Sequence, residues 1–438
     1  MLQFIPQGGT MNYSELCTWT GRKLNINKRL KPVVVAYLIF LMVSLRKHSL
    51  EAAATFSNSS KSRFCVFLKN HSDLAVIQLS ELSKRQAKQF GKSIRFLLDG
   101  KLPWKILIII DATLQKRSSL HAENATRFNH GEGFVVGHQW TNIVLFFNDT
   151  LIPLPPIAFY TRAYCRKHNM EYKTEHEHVV EYLENLDLKA YIGSHNPKHV
   201  AVLGDSGYDN KMIEKTIAGK GWIYIIALKK KRSIKSEKQY ANTPKSKGWN
   251  QVEMFFKSHR RIKWVTVFLP KNSPKKKRME FRIRQITGFL RAVGKAQLIC
   301  SEFKKNPKGR RKYLASNDLK ATPLQILLAY RIRWEIEIFH KMIKMFMGFE
   351  DVATKSFQSV ISHVHWVYCA YILINSHPPG MPKDVESIST KQKHIQQAVF
   401  KKEISKILQM LSRINGVDSL KIELRRALDS TSMAQSLI

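Results

Sequence analysis

Acidic residues are scarce in this sequence of 438 residues. Asp and Glu number 33 against 72 Lys and Arg, so the formal net charge is +39. Hydrophobic residues make up 44% of the chain, which allows a substantial core and excludes a disordered basic tail. The length allows two or three domains, or one core with insertions. A globular chain this basic usually binds a polyanion, so we expect nucleic acid first and an anionic membrane surface second.

Cysteines are rare, and their spacing suggests neither disulfides nor a zinc site. The five cysteines are Cys17, Cys65, Cys165, Cys300 and Cys369. Such scatter excludes a disulfide framework and a C-x-x-C site, and it favours a reducing compartment. Long apolar runs are missing as well. The longest, Val33 to Leu45, is too short to span a bilayer, so we expect a buried helix there. With nucleic acid as the preferred partner, we expect no membrane partner.

Two apolar, β-branched runs are each followed closely by an aspartate. The run Lys105 to Ile110 precedes Asp111, and the run Val200 to Leu203 precedes Asp205. Continuous apolar runs of this length are typical of strands buried on both faces. Helical segments follow the strands, which predicts an α/β fold. Asp209 more simply caps the next helix, so Asp205 is the preferred functional residue.

A segment without internal Gly or Pro before Gly348, from Pro323 to Phe349, predicts a long helix. One side carries the apolar residues Ile332, Ile336, Phe339, Ile343 and Phe346. The opposite side carries the polar residues Tyr330, Arg333, Glu337, Lys341 and Lys344. Taken alone, the polar side is most simply a solvated ladder of salt bridges. The alternative is a functional carboxylate among cations that bind phosphate.

Much of the positive charge lies between the second strand region and this helix. Residues 229–312 contain 27 Lys and Arg against 4 Asp and Glu, a net charge of +23. Strand-like pieces, Trp264 to Leu269 and Phe281 to Phe289, alternate with the basic loops 272–278 and 306–311. Because aromatic residues are interspersed, we expect a surface that follows a nucleic-acid backbone. A solvated basic loop region is the alternative.

The two ends of the chain are predicted to be helical. Ser49 can cap a short helix through Ala54, and a basic helix at about 61–68 follows a polar turn. This outline resembles a helix-turn-helix, although many small helical hairpins share it. Residues 356–376 predict an apolar helix, and residues 391–428 predict basic amphipathic helices that could pack, dimerise or contact DNA.

Three carboxylates, Asp111, Asp205 and Glu337, can converge on one point of such a fold. Carboxylate oxygens without Cys or His ligands suit Mg²⁺ or Mn²⁺ and suit zinc poorly. Two such ions could promote an in-line displacement at phosphorus. Arg333, Lys341 and Lys344 would then neutralise the phosphate oxygens.

These residues resemble a known family. Tyr330, Arg333, Glu337 and Lys344 match the Y-x2-R-x3-E-x6-K signature of a group of bacterial insertion-sequence transposases. Asp111 in IIIDAT and Asp205 in VLGDSGYDNK match the two acidic positions of the RNase H-like DDE catalytic domain of these enzymes. The resemblance covers roughly residues 34–360, and the four-residue signature is its specific part.

The resemblance implies a fold and a domain order. The fold would be α/β, an RNase H-like mixed sheet with flanking helices, a basic β-rich insertion, and helical N- and C-terminal regions. The implied domains are a DNA-binding region at 1–98, a catalytic core at 99–232 and 313–350, the insertion at 233–312, and a helical region at 351–438.

The resemblance also implies an activity, cut-and-paste transposition through a hairpin intermediate, with two Mg²⁺ or Mn²⁺ ions at the three carboxylates. The DNA partners would be the terminal repeats and the target, bound by a homodimer at the bacterial nucleoid in the cytoplasm, without a small-molecule cofactor. Tyr330, Arg333 and Lys344 would contact phosphate, and Lys341, which lies on the same helix face but outside the signature, is a further candidate. An insertion tryptophan would stack on a flipped base, and the candidates are Trp249 and Trp264.

Two other functions stay open from the sequence. One is a DNA-binding protein whose RNase H-like core has lost its chemistry. The other is a nuclease that uses the same carboxylates but joins no strands. The intact triad and signature favour the transposase over the non-catalytic protein.

Overall fold

The computed structural model describes residues 11–43, 45, 47–118, 120–131, 133–243, 245–259, 261–269, 279–303, 311–411 and 422. The predicted basic loop 272–278, most of 306–311 and most of the predicted helical stretch beyond Leu411 lie outside the described residues. The chain forms two compact units. The first comprises Met1–Gln86, Leu114–His138 and Phe339–Ile438, and the second comprises Ala87–Thr113 and Gln139–Ile338.

The described residues contain thirteen strands in a single sheet. The strands are β1 Ile106–Lys116, β2 Thr126–His130, β3 Gly133–Phe147, β4 Thr150–Pro153, β5 Ile157–Ala158, β6 Val200–Gly204, β7 Ile223–Ala227, β8 Ser233–Ser236, β9 Asn250–Gln251, β10 Val265–Leu269, β11 Met279–Leu290, β12 Gly294–Phe303 and β13 Lys312–Ser316.

The helices of the described residues flank this sheet or form the first unit. They are α1 Tyr13–Lys23, α2 Lys31–Met42, α3 Leu50–Ser57, α4 Lys61–Asn70, α5 Ser72–Phe90, α6 Arg162–Lys167, α7 Glu175–Asn185, α8 Leu188–Ile192, α9 Lys211–Gly219, α10 Glu237–Asn242, α11 Val252–Ser258, α12 Pro323–Ile332, α13 Trp334–Phe346, α14 Phe357–Asn375 and α15 Ile388–Leu411. Short 3₁₀ helices occur at Gly91–Ser93, Pro197–His199 and Ser206–Tyr208.

The sheet is mixed, as the sequence predicts. In the second unit its strands run in the order β3-β1-β6-β7-β13-β12-β11-β8-β9. β1, β6 and β7 are parallel neighbours, and β13 returns antiparallel beside β7. Their apolar side chains are buried, as expected for central strands with helices on both faces. The α/β fold class predicted from the sequence is therefore confirmed.

β1 is longer than the sequence predicts. The predicted strand ended before Asp111, whereas β1 continues to Lys116 and keeps β3 as its neighbour. Only the pairing with β6 stops at Ile110, opposite Gly204. Asp111 therefore lies within a strand, at the point where that strand loses one of its two neighbours.

The basic segment after β7 contributes strands to the same sheet. β12 pairs with β13, and β11 pairs with β12, β10 and β8. Buried aromatic residues of α11, among them Phe255 and Phe256, belong to the same hydrophobic core as β1 and β6. The domain boundaries inferred from the sequence stay predictions.

The predicted helix from Pro323 to Phe349 is wrong as one continuous element. α12 ends at Ile332 and α13 begins at Trp334. At Arg333 the backbone stays right-handed, but the hydrogen bonds shorten to the i, i+3 pattern, to Tyr330 and from Ile336. This tightening is the physical reason for the break.

In the first unit, helices pack around the apolar helix α14. α2 and α4 both contact α14, and Tyr37, Phe64, Phe67 and Trp366 form an aromatic cluster between them. Ser49 accepts a hydrogen bond from the N–H of Ala52 and caps α3, as predicted. β2 pairs with the opening residues of β3 within this unit.

One helix of the described residues, α14, is long and apolar enough to cross a membrane. Its most apolar window is 83% buried inside the protein, which is typical of a core helix. The apolar run that begins at Val33 forms the buried helix α2, as the sequence predicts.

Candidate active site

Asp111 and Asp205 lie side by side at one edge of the sheet. Each follows the last pair of the parallel register between β1 and β6, Ile110 with Gly204. Neighbouring strands lie about 5 Å apart, so the two carboxylates emerge close together. The sequence predicts this proximity because both runs read as buried parallel strands.

Asp205 is held by the loop that it begins. Its Oδ1 accepts a hydrogen bond of 2.7 Å from the N–H of Gly207 and caps the short 3₁₀ helix Ser206–Tyr208. A Cβ at Gly207 would lie 2.9 Å from that same Oδ1, too close for any other residue without movement. The glycine therefore allows the carboxylate to keep its position.

Arg333 connects the third carboxylate to this pair. Its Nη2 donates a hydrogen bond of 2.8 Å to Oε1 of Glu337. Its Nη1 lies 3.5 Å from Oδ2 of Asp111. Arg333 is buried, so the two ion pairs are weakly screened by water. Residues from β1 and from the junction of α12 and α13 thus meet through one guanidinium.

The pKa of Asp111 depends on the other two carboxylates of the site. Burial raises the pKa of Asp111 to about 7, against the lowering effect of Arg333. Asp205 and Glu337 both raise that pKa further, because their negative charges disfavour a third one nearby. The site therefore carries more negative charge than Arg333 balances, which is the electrostatic setting that attracts a divalent cation.

The donor set fits a hard cation. Asp111, Asp205 and Glu337 offer carboxylate oxygens alone, the ligands preferred by Mg²⁺ and Mn²⁺. Across the described residues, no three Asp, Glu, His or Cys side chains are grouped closely enough to hold a metal as they stand. Arg333 lies between Asp111 and Glu337 instead. A cation would have to replace this guanidinium between the carboxylates.

The predicted phosphate-binding residues occupy different surroundings. Tyr330 is buried, and its ring centroid lies 5.7 Å from the guanidinium carbon of Arg333. Lys341 is exposed on α13. Lys344 is half-buried, and its Nζ lies 3.8 Å from Oε1 of Glu350. The structure brings Tyr330 and Arg333 to the carboxylates; the roles of all four residues stay predictions.

Both tryptophans predicted to stack on a base already contact cations. The ammonium of Lys235 lies 4.9 Å from the ring of Trp249, whose Nε1 donates to the carbonyl of Lys245. Trp264 is surrounded by three guanidinium groups at 4.4 to 5.5 Å, those of Arg282, Arg284 and Arg311. Stacking by either ring stays a prediction.

Trp334 is an aromatic residue that the sequence reasoning missed. It is the first residue of α13, directly after Arg333, and 59% of its surface is exposed. None of the other seven tryptophans is exposed to this extent, and all of them lie in the described residues. Its position directly after the signature arginine could have identified it from the sequence alone.

A second missed feature is the support of the Asp205 loop by α7. Glu175 accepts hydrogen bonds of 2.8 Å from Tyr208 and from Thr141 of β3. His176 lies 2.8 Å from the carbonyl oxygen of Gly207. An acidic first turn is common in helices for electrostatic reasons, so the sequence alone gave no reason to select Glu175.

The prediction that Asp209 caps a helix is wrong. Asn210 caps α9, whereas Asp209 accepts the N–H of Lys229 and pairs with Arg232 at 3.3 Å. Arg232 also contacts Glu214 at 2.5 Å, so the two buried carboxylates share one guanidinium. Asp209 therefore belongs to a buried ionic cluster.

Comparisons with known proteins add an independent finding. Residues 160–373 match the family model described as a transposase DDE domain. This segment contains Asp205, Arg333 and Glu337 and begins after Asp111. The match supports a DDE transposase.

No curated protein sequence matched the chain. Among solved structures, the chain is similar to a piggyBac transposase synaptic complex with hairpin DNA, determined by cryo-EM. The two share 11% sequence identity with a TM-score of 0.45, over 94% of this chain and 82% of that one.

Proposed function

We propose that this protein is a DDE transposase that cleaves DNA and joins DNA strands at Asp111, Asp205 and Glu337. The observation that carries the proposal is that Arg333 joins Asp111 of β1 to Glu337 of α13, while the strand register places Asp205 next to Asp111. The family match over residues 160–373 supports the same activity. A net charge of +39 supports DNA as the substrate.

Each residue of the site has a distinct task in this proposal. Asp111, Asp205 and Glu337 would hold one or two Mg²⁺ or Mn²⁺ ions. The bound metal would supply Lewis-acid stabilisation of the phosphodiester and lower the pKa of an attacking water or 3′-hydroxyl. Arg333, released from the carboxylates, would donate to the oxygens of the scissile phosphate. Tyr330 would keep the guanidinium in place through ring contact.

The loop support by α7 fits this function. Because the loop after Asp205 is hydrogen-bonded to Glu175 and His176, its carboxylate would keep its position when Arg333 moves. A fixed ligand frame lowers the reorganisation needed during the reaction.

Further features of the transposase proposal come from the resemblance. The DNA would be the terminal repeats of a bacterial insertion sequence, excised by a cut-and-paste route with a hairpin intermediate and joined to a target. A homodimer would act on the two ends at the nucleoid. Trp334, which is exposed next to Arg333, joins Trp249 and Trp264 as a residue that could stack on an unpaired base.

The test uses DNA from both sides of the coding sequence, where the ends of an element that encodes its own transposase would lie. Purified protein is incubated with this labelled DNA and Mg²⁺. A transposase yields cleaved ends and joined products. Cleavage without joining would indicate a nuclease, and binding that is unchanged in Asp205→Ala with no cleavage would indicate a non-catalytic protein.

A further inference from the structure

Lys312 lies at the same edge of the sheet as the candidate carboxylates. It is the first residue of β13, which runs antiparallel to β7. Leu314 pairs with Ala227 at the carboxyl end of β7, so Lys312 lies beyond that end. β7 is parallel to β6, whose carboxyl end leads into Asp205. The strand register therefore places Lys312 at the edge of the sheet where Asp205 emerges, with β7 between the two residues.

The side chain of Lys312 points toward the helical side of the site. Tyr313 and Ala315 contribute to the core on one face of the sheet, so Lys312 points to the opposite face. There its Nζ lies 5.5 Å from the ring centroid of Tyr330. The ring of Tyr330 thus has two cations near it, Lys312 and Arg333.

The charged residues of the site affect the pKa of Lys312. Although Lys312 is an exposed residue, neighbouring groups partly desolvate its ammonium and lower its pKa, and the positive charge of Arg333 lowers that pKa further. Glu337 and Asp205 act in the opposite direction, through the attraction of their carboxylates. The register and the ring contact likewise place Lys312 at the edge of the sheet that carries the site.

The two cations differ in what they are bound to. Arg333 is buried and paired with Asp111 and Glu337. Lys312 is exposed, and within the part of the chain that the structure describes it forms no ion pair. An exposed ammonium of this kind is a ready partner for a phosphate oxygen.

We propose that Lys312 is a further substrate-binding residue, which contacts a DNA phosphate next to the one that reacts. The assignment rests on the proposed function, since it takes the three carboxylates as the reacting centre. Lys312 lies outside the Y-x2-R-x3-E-x6-K signature. Its ammonium holds the strand beside the carboxylates before and after Arg333 leaves them, so it positions the scissile phosphate.

The test compares Lys312→Gln, Lys312→Arg and the control Lys320→Gln. Lys320 is an exposed lysine of the turn beyond the opposite end of β13. One probe is a supercoiled plasmid that carries the DNA flanking the gene, whose nicking rate is measured with Mn²⁺. The other is a 30-bp duplex of the same DNA, whose affinity is measured in EDTA as the salt concentration rises.

We expect Lys312→Gln to nick about 10-fold more slowly, Lys312→Arg to stay within about threefold of wild type, and Lys320→Gln to match wild type. The salt slope is the steepness with which the logarithm of the DNA affinity falls as the logarithm of the salt concentration rises. It should decrease by about 0.9 in Lys312→Gln alone, because one phosphate contact is lost. Lys312→Arg keeps the charge, so it also shows whether a defect in Lys312→Gln reflects the charge or the fold.

If Lys312→Gln nicks DNA at the wild-type rate and keeps the wild-type salt slope, the inference about Lys312 is wrong, while the proposed function still stands. An equal loss in Lys320→Gln would overturn it too, because general charge would then explain the effect. If the wild-type protein itself nicks nothing, the proposed function fails, and the salt slope still decides whether Lys312 contacts phosphate.

Discussion

Arg333 and Asp111 lie within 3.5 Å of each other, although they belong to a helix junction and to the first strand of the sheet. The same guanidinium donates to Glu337, so one cation is shared between two candidate metal ligands. In the described structure Arg333 occupies a place that divalent ions and a phosphate would share during the reaction. This relationship leads to predictions that separate a functional site from an ordinary salt bridge.

Removal of Arg333 should destabilise the protein only while metal is absent. Arg333→Ala leaves Asp111 and Glu337 without their cation, and we expect a loss of about 2–4 kcal/mol in the free energy of unfolding in EDTA. Mg²⁺ should restore most of this loss, because it binds the carboxylates of the folded state. Denaturant unfolding with and without Mg²⁺ measures both effects.

Arg232 provides the matched control, since it also bridges two carboxylates. Asp209 and Glu214 are buried, so Arg232→Ala should lower the free energy of unfolding by a similar amount. Mg²⁺ should restore little of this loss. Equal recovery of the two variants by Mg²⁺ would argue against a specific metal site at Arg333.

The pH dependence of stability should change when Asp111 is made neutral. Its pKa is about 7 in the folded protein and about 4 in an unfolded chain. The folded state therefore holds a proton that the unfolded state releases above pH 4, and the stability from Asp111 is lost as the pH rises toward 7. Asp111→Asn removes this loss of stability. We therefore expect the free energy of unfolding to rise by about 1–3 kcal/mol at pH 8 in EDTA and almost not at all at pH 4.

Asp99→Asn serves as the control for this measurement, because Asp99 is an exposed residue of a turn. Its stability should change little at either pH. A gain in the free energy of unfolding for Asp111→Asn that is equal at pH 4 and pH 8 would show that ionisation of the Asp111 carboxyl is not its cause.

Trp334 should matter for DNA processing and little for folding. Because 59% of its surface is exposed, Trp334→Ala should leave the thermal unfolding temperature nearly unchanged. Loss of a base-stacking ring costs about 1–3 kcal/mol, so single-turnover cleavage should slow about 10-fold, and Trp334→Phe should retain most activity. If Trp249→Ala or Trp264→Ala slows cleavage while Trp334→Ala does not, the base stacks on the insertion instead.

The sequence predicted the sheet at the site well because its strands are continuous apolar runs. The strands were predicted at Lys105 to Ile110 and at Val200 to Leu203, and the parallel pairing of β1 and β6 brings Asp111 next to Asp205. The break at Arg333 could not be predicted, because no glycine or proline marks it. It depends on hydrogen bonds and ion pairs that exist only in the folded protein.

The same limit applies to Lys312 and Asp209. Lys312 is one of many lysines in a basic segment, and only the strand register brings it near Tyr330. Asp209 precedes a helix, where a cap is the usual interpretation, yet Arg232 from a distant part of the chain pairs with it. Periodicity and local signals predict elements, whereas such partners follow from tertiary contacts.

The most direct test is single-turnover cleavage of flanking DNA in Mg²⁺ by Asp111→Asn, Asp205→Asn and Glu337→Gln, with DNA affinity measured in parallel. Each variant should cleave at least about 1,000-fold more slowly than wild type, because each removes a proposed metal ligand. DNA affinity should stay within about threefold of wild type, since the basic surface is intact. Wild-type cleavage by any one of the three variants would contradict the assignment of the active site.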